Sequence, residues 1–514
     1  MPESPSRLDS GLEVRLRNWF DRPYDDAISA ARTCYSPRVV YAEEITEKQR
    51  RSIGPLTFFG GHHTVYQHAT FEFALSGLSR QVVWCFLHAF PFYNSEQQSQ
   101  RYVRLDAVQA HVPRRLAGEA LAVYEGALER AWASYHALAR CLAPVTQHSL
   151  AALWRLKDRQ SRVFARNLAR EAEKKAIETA RYLLPIACHT AMVYTVSGIV
   201  LHRLRRMAAA CDAPDEARAV VDAMIAEVEK RDPAFFSEIG EPPLGEDEVP
   251  ERAATTGPCT ADFAAQFDRS LAGHRSRLVD YGARAPAVVA QAVRSVLGRP
   301  ELEEDEALDL VLDPARNRYR LDTLNVSTHS PLMRTLEHAH YTFRKKLSHS
   351  ADSQDQRHRM VPGSRPMLSR TLSAQVDVIE PELVAEDPAA HALFRESVEE
   401  AFHARAELVR RGVPPELALY VLPNALTVRF EESGSLLHLL HKWTMRTCLN
   451  AQREIWEASM DELAQVRAVH PQLVRHVGPP CVVRDRLVAP RCTEGTHFCG
   501  VPVWRSFPEI ERRI

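Results

Sequence analysis

Two polar segments carry side chains that could bind an anionic, planar ligand. Residues 94–102 read NSEQQSQRY and place hydroxyl and amide donors around Arg101. Residues 354–359 read QDQRHR and set an arginine on either side of His358. A guanidinium pairs bidentately with phosphate and stacks on planar rings, so both segments are suited to a nucleotide. Taken singly, each also fits a solvated turn or helix face.

A third polar segment, GHHTVYQH at residues 61–68, precedes a strand-like run. Its His62 and Thr64 could contact a ligand, or could belong to a polar loop with a capping histidine. Arg181 and Arg446 lie in helical stretches, where a single arginine is usually a surface residue. Only the order of these residues along the chain supports a functional role for them.

The C-terminal region contains Cys481, Cys492, His497 and Cys499. Thiolates and imidazole are zinc ligands, so a structural metal is one interpretation. The ten residues between the first two cysteines depart from the tight CxxC pairs of strong zinc motifs. We therefore favour ordinary free thiols and predict no metal site.

The composition is that of an ordinary globular protein of 514 residues with a formal net charge of −1. This charge balance argues against a nucleic-acid or anionic-membrane surface. No apolar run approaches the roughly 18 residues that span a membrane, and the polar N-terminus lacks the apolar core of a signal peptide. Ten scattered cysteines then indicate a reducing cytoplasm. Neither a GxGxxG nor a P-loop motif is present.

The elements that must position these residues occur twice. A stretch rich in Pro, Gly and acidic residues at 241–258 reads as a linker. It divides a first half, residues 1–240, from a second half, residues 259–514. Each half is expected to begin with helices, followed by a short strand: FEFALSG at 71–77 and HYTFRKK at 340–346.

Each half continues with a Leu-Pro step, ARYLLP at 180–185 and ALYVLP at 418–423. A long pattern follows each step, TAMVYTVSGIVLHRLRRM in the first half and SLLHLLHKWTMRTCLNAQREIWEAS in the second, and both predict helix. A repeat this long indicates a duplicated domain rather than a solenoid.

In this order the segments resemble the flavin-dependent thymidylate synthases. That family has a GHxTxxEH-like segment, an FTF-like strand, an RHRxxSxNxxSxR signature, an ARxVLP segment and an LR…AQxEI helix. The first half is similar through AARTCYSP (30–37), GHHTVYQHATFEF (61–73), EQQSQRY (96–102) and ARYLLP (180–185). The second half is similar through LEHAHYTF (336–343), QDQRHR (354–359), GVPPELALYVLP (412–423) and MRTCLNAQREI (445–455). The resemblance implies an α+β fold of two tandem, helix-rich domains, each with a small antiparallel sheet.

The two halves depart from the signature in complementary ways. An ungapped alignment of Phe73 with Phe343 places Leu87-His88-Ala89 opposite the RHR at 357–359, so the first half lacks both arginines. The first half keeps the serine–arginine loop and Arg181, where the second half has MVPGSRPMLSR and Leu419. The second half keeps Arg446, where the first offers only the poorly aligned Arg205 and Arg206.

Family active sites lie between subunits of a homotetramer, so this division implies one composite site per chain, and a homodimer as the equivalent assembly. The implied reaction is reductive methylation of dUMP, with methylenetetrahydrofolate as carbon donor, FAD as cofactor and NADPH as reductant. The implied catalytic residues are Arg446 and Ser99. The implied substrate-binding residues are Gln97, Gln98, Ser99, Gln100, Arg101, Arg181, Gln354, Arg357 and Arg446. The implied FAD-binding residues are His62, Thr64, Glu96, Arg357, His358 and Arg359.

One departure concerns FAD. The family's Asn-x-Arg on the long helix aligns with Ser197 and Ile199, and with Ser435 and Leu437. His202 and Arg203 could replace these contacts. A non-catalytic paralogue that binds nucleotide or flavin, and a flavoenzyme that alkylates another pyrimidine, are the alternatives. Complementary losses favour the enzyme, because random decay need not leave one full set of residues.

Overall fold

The computed structural model describes residues 8–154, 162–254 and 261–512. Each half contains one four-stranded antiparallel sheet, ordered β1-β2-β4-β3 in the first half and β5-β6-β8-β7 in the second. The first-half strands are β1 Glu13–Trp19, β2 Thr70–Ser79, β3 Asn94–Gln97 and β4 His189–Ser197. The second-half strands are β5 Ser276–Tyr281, β6 His340–Ser348, β7 Gly363–Ser364 and β8 Thr427–Ser435. The expected α+β class with two small antiparallel sheets is confirmed.

Helices cover these sheets. The longer first-half helices are Pro23–Thr33, Glu47–Phe59, Gly118–Leu153, Arg162–Ala180, Gly198–Met207 and Pro214–Glu229. The longer second-half helices are Ala261–Ser270, Ala285–Leu297, Glu304–Leu312, His349–Asp355, Pro388–Arg410, Leu436–Arg446 and Arg453–Val469. Side chains of helices 118–153 and 388–410, such as Leu128 and Phe394, join one hydrophobic core, so the core crosses between the halves.

Two sequence expectations about these elements are wrong. The first half begins with strand β1 rather than with helices, whereas in the second half the helix Ala261–Ser270 precedes β5. The run TAMVYTVSGIVLHRLRRM is helical only from Gly198, because its first part is the central strand β4. The second-half pattern is likewise two helices, broken between Arg446 and Arg453.

A pseudo-two-fold junction joins the halves at the two Leu-Pro steps. Pro185 and Pro423 form a bridge. On either side, the N–H of Ile186 donates to the carbonyl of Leu422 at 2.9 Å, and the N–H of Asn424 donates to that of Leu184 at 2.8 Å. Because each bond has its symmetry mate, residues of the first half correspond here to residues 238 positions later in the second.

The described part of the linker packs on the first half. Val249 is buried, and Arg252 donates to the carbonyl oxygens of Ala209 at 2.8 Å and Cys211 at 3.0 Å. Residues 255–258 of the expected linker lie outside the described residues. The domain boundary itself stays a prediction.

Crossed tyrosine–glutamate hydrogen bonds strengthen the junction. Tyr182 donates to Glu454 Oε2 at 2.5 Å, and its symmetry mate Tyr420 donates to Glu216 Oε2 at 2.6 Å. We expect Tyr182→Phe and Tyr420→Phe each to lower the free energy of unfolding by about 1–3 kcal/mol, because each leaves a buried carboxylate short of a donor. Urea unfolding measures this, with the half-exposed Tyr319→Phe as control. Unchanged stability in both variants would show that the crossed bonds do not hold the halves together.

Candidate active site

The composition of the first-half segment 94–102 suggested a loop throughout, but the first part of this segment is a strand. Asn94–Gln97 is the edge strand β3, paired with β4. The turn begins after it, where the Ser99 hydroxyl accepts from the backbone N–H of Arg101 at 3.2 Å. The strand fixes where this turn starts, so the Arg101 side chain leaves the edge of the sheet at a defined position.

The RHR segment follows the helix His349–Asp355, whose first turn is capped by Ser348. Arg357 donates to the carbonyl of Ser95 at 3.2 Å, and Arg359 donates to Asn94 Oδ1 at 3.2 Å. The second-half RHR therefore lies against the first-half strand β3, which is the pairing of halves that the composite site requires.

Arg446 holds the RHR turn from the helix Leu436–Arg446. Its Nε donates to His358 Nε2 at 2.9 Å, and its Nη2 donates to the carbonyl of Gln354 at 3.1 Å. Burial, followed by the charge of Arg446, keeps the pKa of His358 well below its usual value. His358 is then neutral at physiological pH, as an acceptor at Nε2 must be.

Gln452 links the two halves at the centre of the site. Its side-chain oxygen accepts from Arg181 of the first half and from Gln354 of the second, and its amide nitrogen donates to the Tyr182 hydroxyl. Gln354 Oε1 is buried and has no hydrogen-bond partner in the described part of the chain. One acceptor on the site wall is thus left for a ligand donor.

Arg101 reaches across the same junction. It forms an ion pair with Glu178 at 2.7 Å and donates to the Asn450 carbonyl at 2.6 Å. Burial opposes ionisation of Glu178, but Lys175, Arg101 and Arg181 lower its pKa to about 2. Glu178 is therefore a fixed negative charge beside these cations.

Arg80 adds a cation that the sequence argument missed. It is buried at the end of β2, donates to the Gln98 carbonyl at 3.4 Å, and lies near enough to Arg181 and Arg357 for their charges, after burial, to lower its pKa to about 10. Burial together with the charges of Arg101 and Arg357 lowers the pKa of Arg446 to about 10 as well. Arg80 lies three residues after the FEFALSG motif and directly follows strand β2.

These five arginines, Arg80, Arg101, Arg181, Arg357 and Arg446, form what we call the arginine cluster. Across residues 8–154, 162–254 and 261–512, Arg101 alone among them forms an ion pair with a carboxylate. Partly or fully buried cations that lack counter-charges are costly unless a ligand supplies them. An anionic ligand would supply the counter-charge that the cluster lacks.

The symmetry-related position across the junction lacks these charges. The counterpart of Arg181 is Leu419, and the counterpart of Arg446 is Ala208, counted from the helix starts after Ser197 and Ser435. Leu419 and Ala208 are 0% and 1% exposed, respectively. Both counterpart positions are therefore apolar and buried.

The ungapped comparison of the two halves needs correction. A one-residue bulge interrupts β2 at Gly77, whose φ of 72° favours glycine. A π-helical turn at Val83–Leu87 adds another residue. Together the insertions shift the counterpart of Arg357 from Leu87 to Ala89. The first half still has no arginine there.

The other site residues implied by the resemblance differ in their exposure to solvent. Gln97 ends β3, while Glu96 and Gln98 are exposed. Gln100 lies beneath the turn rather than on its surface: it is buried, donates to Cys188 Sγ and accepts from Asn424.

His62 and Thr64 are exposed in the turn before β2. No hydrogen bond links either side chain to the RHR turn within the described residues.

His202 cannot replace a missing FAD contact as the sequence suggested. It is buried among Phe58, Phe235 and Phe236, with ring centroids 4.7 to 5.5 Å away. Burial lowers its pKa to about 4, so it is a neutral core residue. Arg203 on the same helix is exposed.

The structure brings together only part of the C-terminal group that was considered as a zinc site. Cys481, Cys492 and Cys499 line a small cavity with Cys448, while His497 is exposed. Burial raises the pKa of Cys481 to about 12 and that of Cys448 to about 11. Within the ranges that the structure describes, no group of three or more His, Cys, Asp or Glu is arranged to hold a metal ion.

Comparison with known proteins explains this architecture. The family profile "Thymidylate synthase complementing protein" matches residues 15–234 and again residues 277–472. The chain belongs to this family, that of the flavin-dependent thymidylate synthases. Two matched segments fit a tandem duplication, as the sequence predicted. Along the described chain, no helix combines the length and apolar character needed to cross a membrane.

Several relatives carry the name "Flavin-dependent thymidylate synthase". That of Clostridium tetani is 30% identical over 253 residues, which are 48% of this chain and 94% of the relative. That of Sulfurisphaera tokodaii is 31% identical over 158 residues, 30% of this chain and 60% of the relative. That of Saccharolobus solfataricus is 27% identical over 224 residues, 41% of this chain and 80% of the relative. A nearly whole relative thus corresponds to half of this chain.

Proposed function

We propose that the chain catalyses the reductive methylation of dUMP to dTMP, with methylenetetrahydrofolate as carbon donor, FAD as cofactor and NADPH as reductant. The observation that carries the proposal is the arginine cluster, which draws on both halves and lacks enough carboxylates to balance it. A nucleotide phosphate would supply that balance through charge-assisted hydrogen bonds. Uracil nucleotides carry such a phosphate beside a planar ring with carbonyl acceptors.

Each half would contribute different contacts to the one site. Ser99, Arg101 and Arg181 of the first half would bind the phosphate with the backbone of the turn. Gln354 Oε1, the buried acceptor without a partner, would accept from the uracil N3–H. Arg446 would donate to a uracil carbonyl and stabilise negative charge on the ring, so binding and electrostatics lower the barrier together.

The RHR turn fits a flavin dinucleotide. In the part of the chain that the structure covers, Arg357 and Arg359 donate only to oxygens of Ser95 and Asn94, which leaves their charges for a pyrophosphate. Bound FAD would supply the hydride. The further FAD contacts that we propose are Glu96, His358, His62 and Thr64. We also propose that the protein is a cytoplasmic homodimer.

A product assay tests the proposal. Purified protein supplied with dUMP, FAD, methylenetetrahydrofolate and NADPH should form dTMP, and replacement of NADPH by NADH shows which reductant is preferred. The visible spectrum should show a flavin band that changes when dUMP is added. Bound flavin and nucleotide without dTMP would indicate the non-catalytic alternative.

A further inference from the structure

The second-half core contains five ionisable side chains, Lys345, Asp355, Glu432, Lys442 and Glu462, each at most 1% exposed. Lys345 Nζ lies 3.0 Å from Glu432 Oε2 and 2.8 Å from Glu462 Oε1. Lys442 Nζ lies 2.9 Å from Asp355 Oδ1, and each lysine also contacts both Asp355 and Glu432. We call these five residues the buried charge network.

The first half builds the same core without charge. Phe73 pairs with Tyr194 as Phe343 pairs with Glu432, which places Leu75 at the position of Lys345. The matched helices place Leu204 at the position of Lys442 and Met224 at that of Glu462. The π-helical turn places buried Phe86 and Leu87 where the second half has Asp355. All five positions are therefore uncharged in the first half, with Tyr194 in place of Glu432.

This comparison argues against a stabilising role for the network. Removing charges from water costs several kcal/mol per ion, and replacement of a buried ion network by well-packed apolar residues is often neutral or stabilising. The fold does not require charges at these positions, since the first half folds the same way without them. The buried charges occur in the half that carries the RHR turn. A role in the nucleotide site accounts for the free-energy cost of burying them.

Two network members lie directly behind the site. Asp355 stands between Gln354 and Arg357, and its negative charge acts on Arg446. Lys442 lies one helical turn before Arg446, and the Asp355–Lys442 contact ties that helix to the RHR turn. The network thus fixes the two elements whose side chains face the nucleotide.

We propose that Asp355 and Lys442, held by the rest of the buried charge network, are positioning residues that hold the Gln354–Arg359 turn and Arg446 in the geometry that binds the nucleotide. The inference rests on the proposed dUMP site. It predicts that the network is required for ligand affinity rather than for folding.

A pair of charge-balanced double variants tests it. The test variant, Asp355→Asn with Lys442→Met, removes one carboxylate and one ammonium from the network. The control variant, Asp352→Asn with Arg365→Met, removes a buried ion pair of 2.6 Å from the same helix, on the side facing Trp84. Calorimetry with dUMP and the melting temperature are measured for both.

We expect the test variant to bind dUMP at least about tenfold more weakly, and the control to bind like the wild type even if it melts earlier. Asp355→Glu with native Lys442 should retain more affinity than the test variant. Equal loss in test and control variants, or no loss in either, would overturn the proposal.

A second variant covers the case in which the doubles unfold. It carries the first-half residues at all five positions: Lys345→Leu, Asp355→Leu, Glu432→Tyr, Lys442→Leu and Glu462→Met. A folded apolar variant with weakened dUMP binding supports the positioning role. Wild-type affinity would overturn it, and so would failure of this variant to fold, since the charges would then be structural. Wild-type protein that does not bind dUMP would instead overturn the proposed function.

Discussion

Calorimetric titration with dUMP is expected to reveal one binding site per chain, and Arg101→Ala and Arg446→Ala are each expected to weaken that site about thirtyfold. Loss of one charge-assisted contact in a buried site costs on the order of 2 kcal/mol, which corresponds to this factor. The two arginines are in different halves, yet Arg101 and Arg446 lie close enough for their charges to interact. Both substitutions should therefore damage the same site.

The apolar counterpart of the arginine cluster explains why a second site is not expected. Leu419 and Ala208 occupy the positions of Arg181 and Arg446. A phosphate dianion placed there would lose its hydration without gaining the guanidinium groups that Arg181 and Arg446 supply to the arginine cluster. The exposed Arg203→Ala is the matched control and should not change affinity. Two equivalent sites per chain, or variants that each remove a separate half of the binding, would show that the site is not composite.

The sequence predicted the strands that alternate clearly and missed those that do not. Phe71, Phe73 and Leu75 alternate with the polar or small residues Glu72, Ala74 and Ser76 in β2, and this strand was found. The β4 sequence runs without a break into the following helix across Ser197 and Gly198, so its apolar residues also fit a helix. In edge strand β1 the apolar Val14, Leu16 and Trp19 pack against the core, but the irregularity between Leu16 and Asn18 breaks their alternation with polar residues.

The residues of the site were easier to predict than their partners. Arg101, Arg357 and Arg446 belong to motifs whose order is visible in the sequence. Gln452 and Glu178 act through contacts between residues far apart in the chain, which spacing does not reveal. The sequence did not indicate a role for Lys345 for another reason. This residue occupies a core position in β6, where alternation predicts an apolar residue.

Flavin binding should depend on the RHR turn. The purified protein is expected to be yellow or to take up added FAD, and Arg357→Ala should weaken uptake by about tenfold or more. Arg357 donates to the Ser95 carbonyl and hydroxyl, both uncharged, so a flavin pyrophosphate could add a charge-assisted contact without displacing a carboxylate. The alanine variant loses that contact and the link to β3.

Difference spectroscopy during titration with FAD measures this uptake. Arg410→Ala is a suitable control, because Arg410 is exposed and pairs with Glu407 on a helix remote in sequence from the RHR turn. The control should bind FAD like the wild type, so that a loss seen only with Arg357→Ala locates the cofactor at the turn. Equal uptake by both variants would place the flavin elsewhere. Wild-type protein that gives no difference spectrum in excess FAD would exclude the flavin-dependent reaction, because the hydride would then have no carrier.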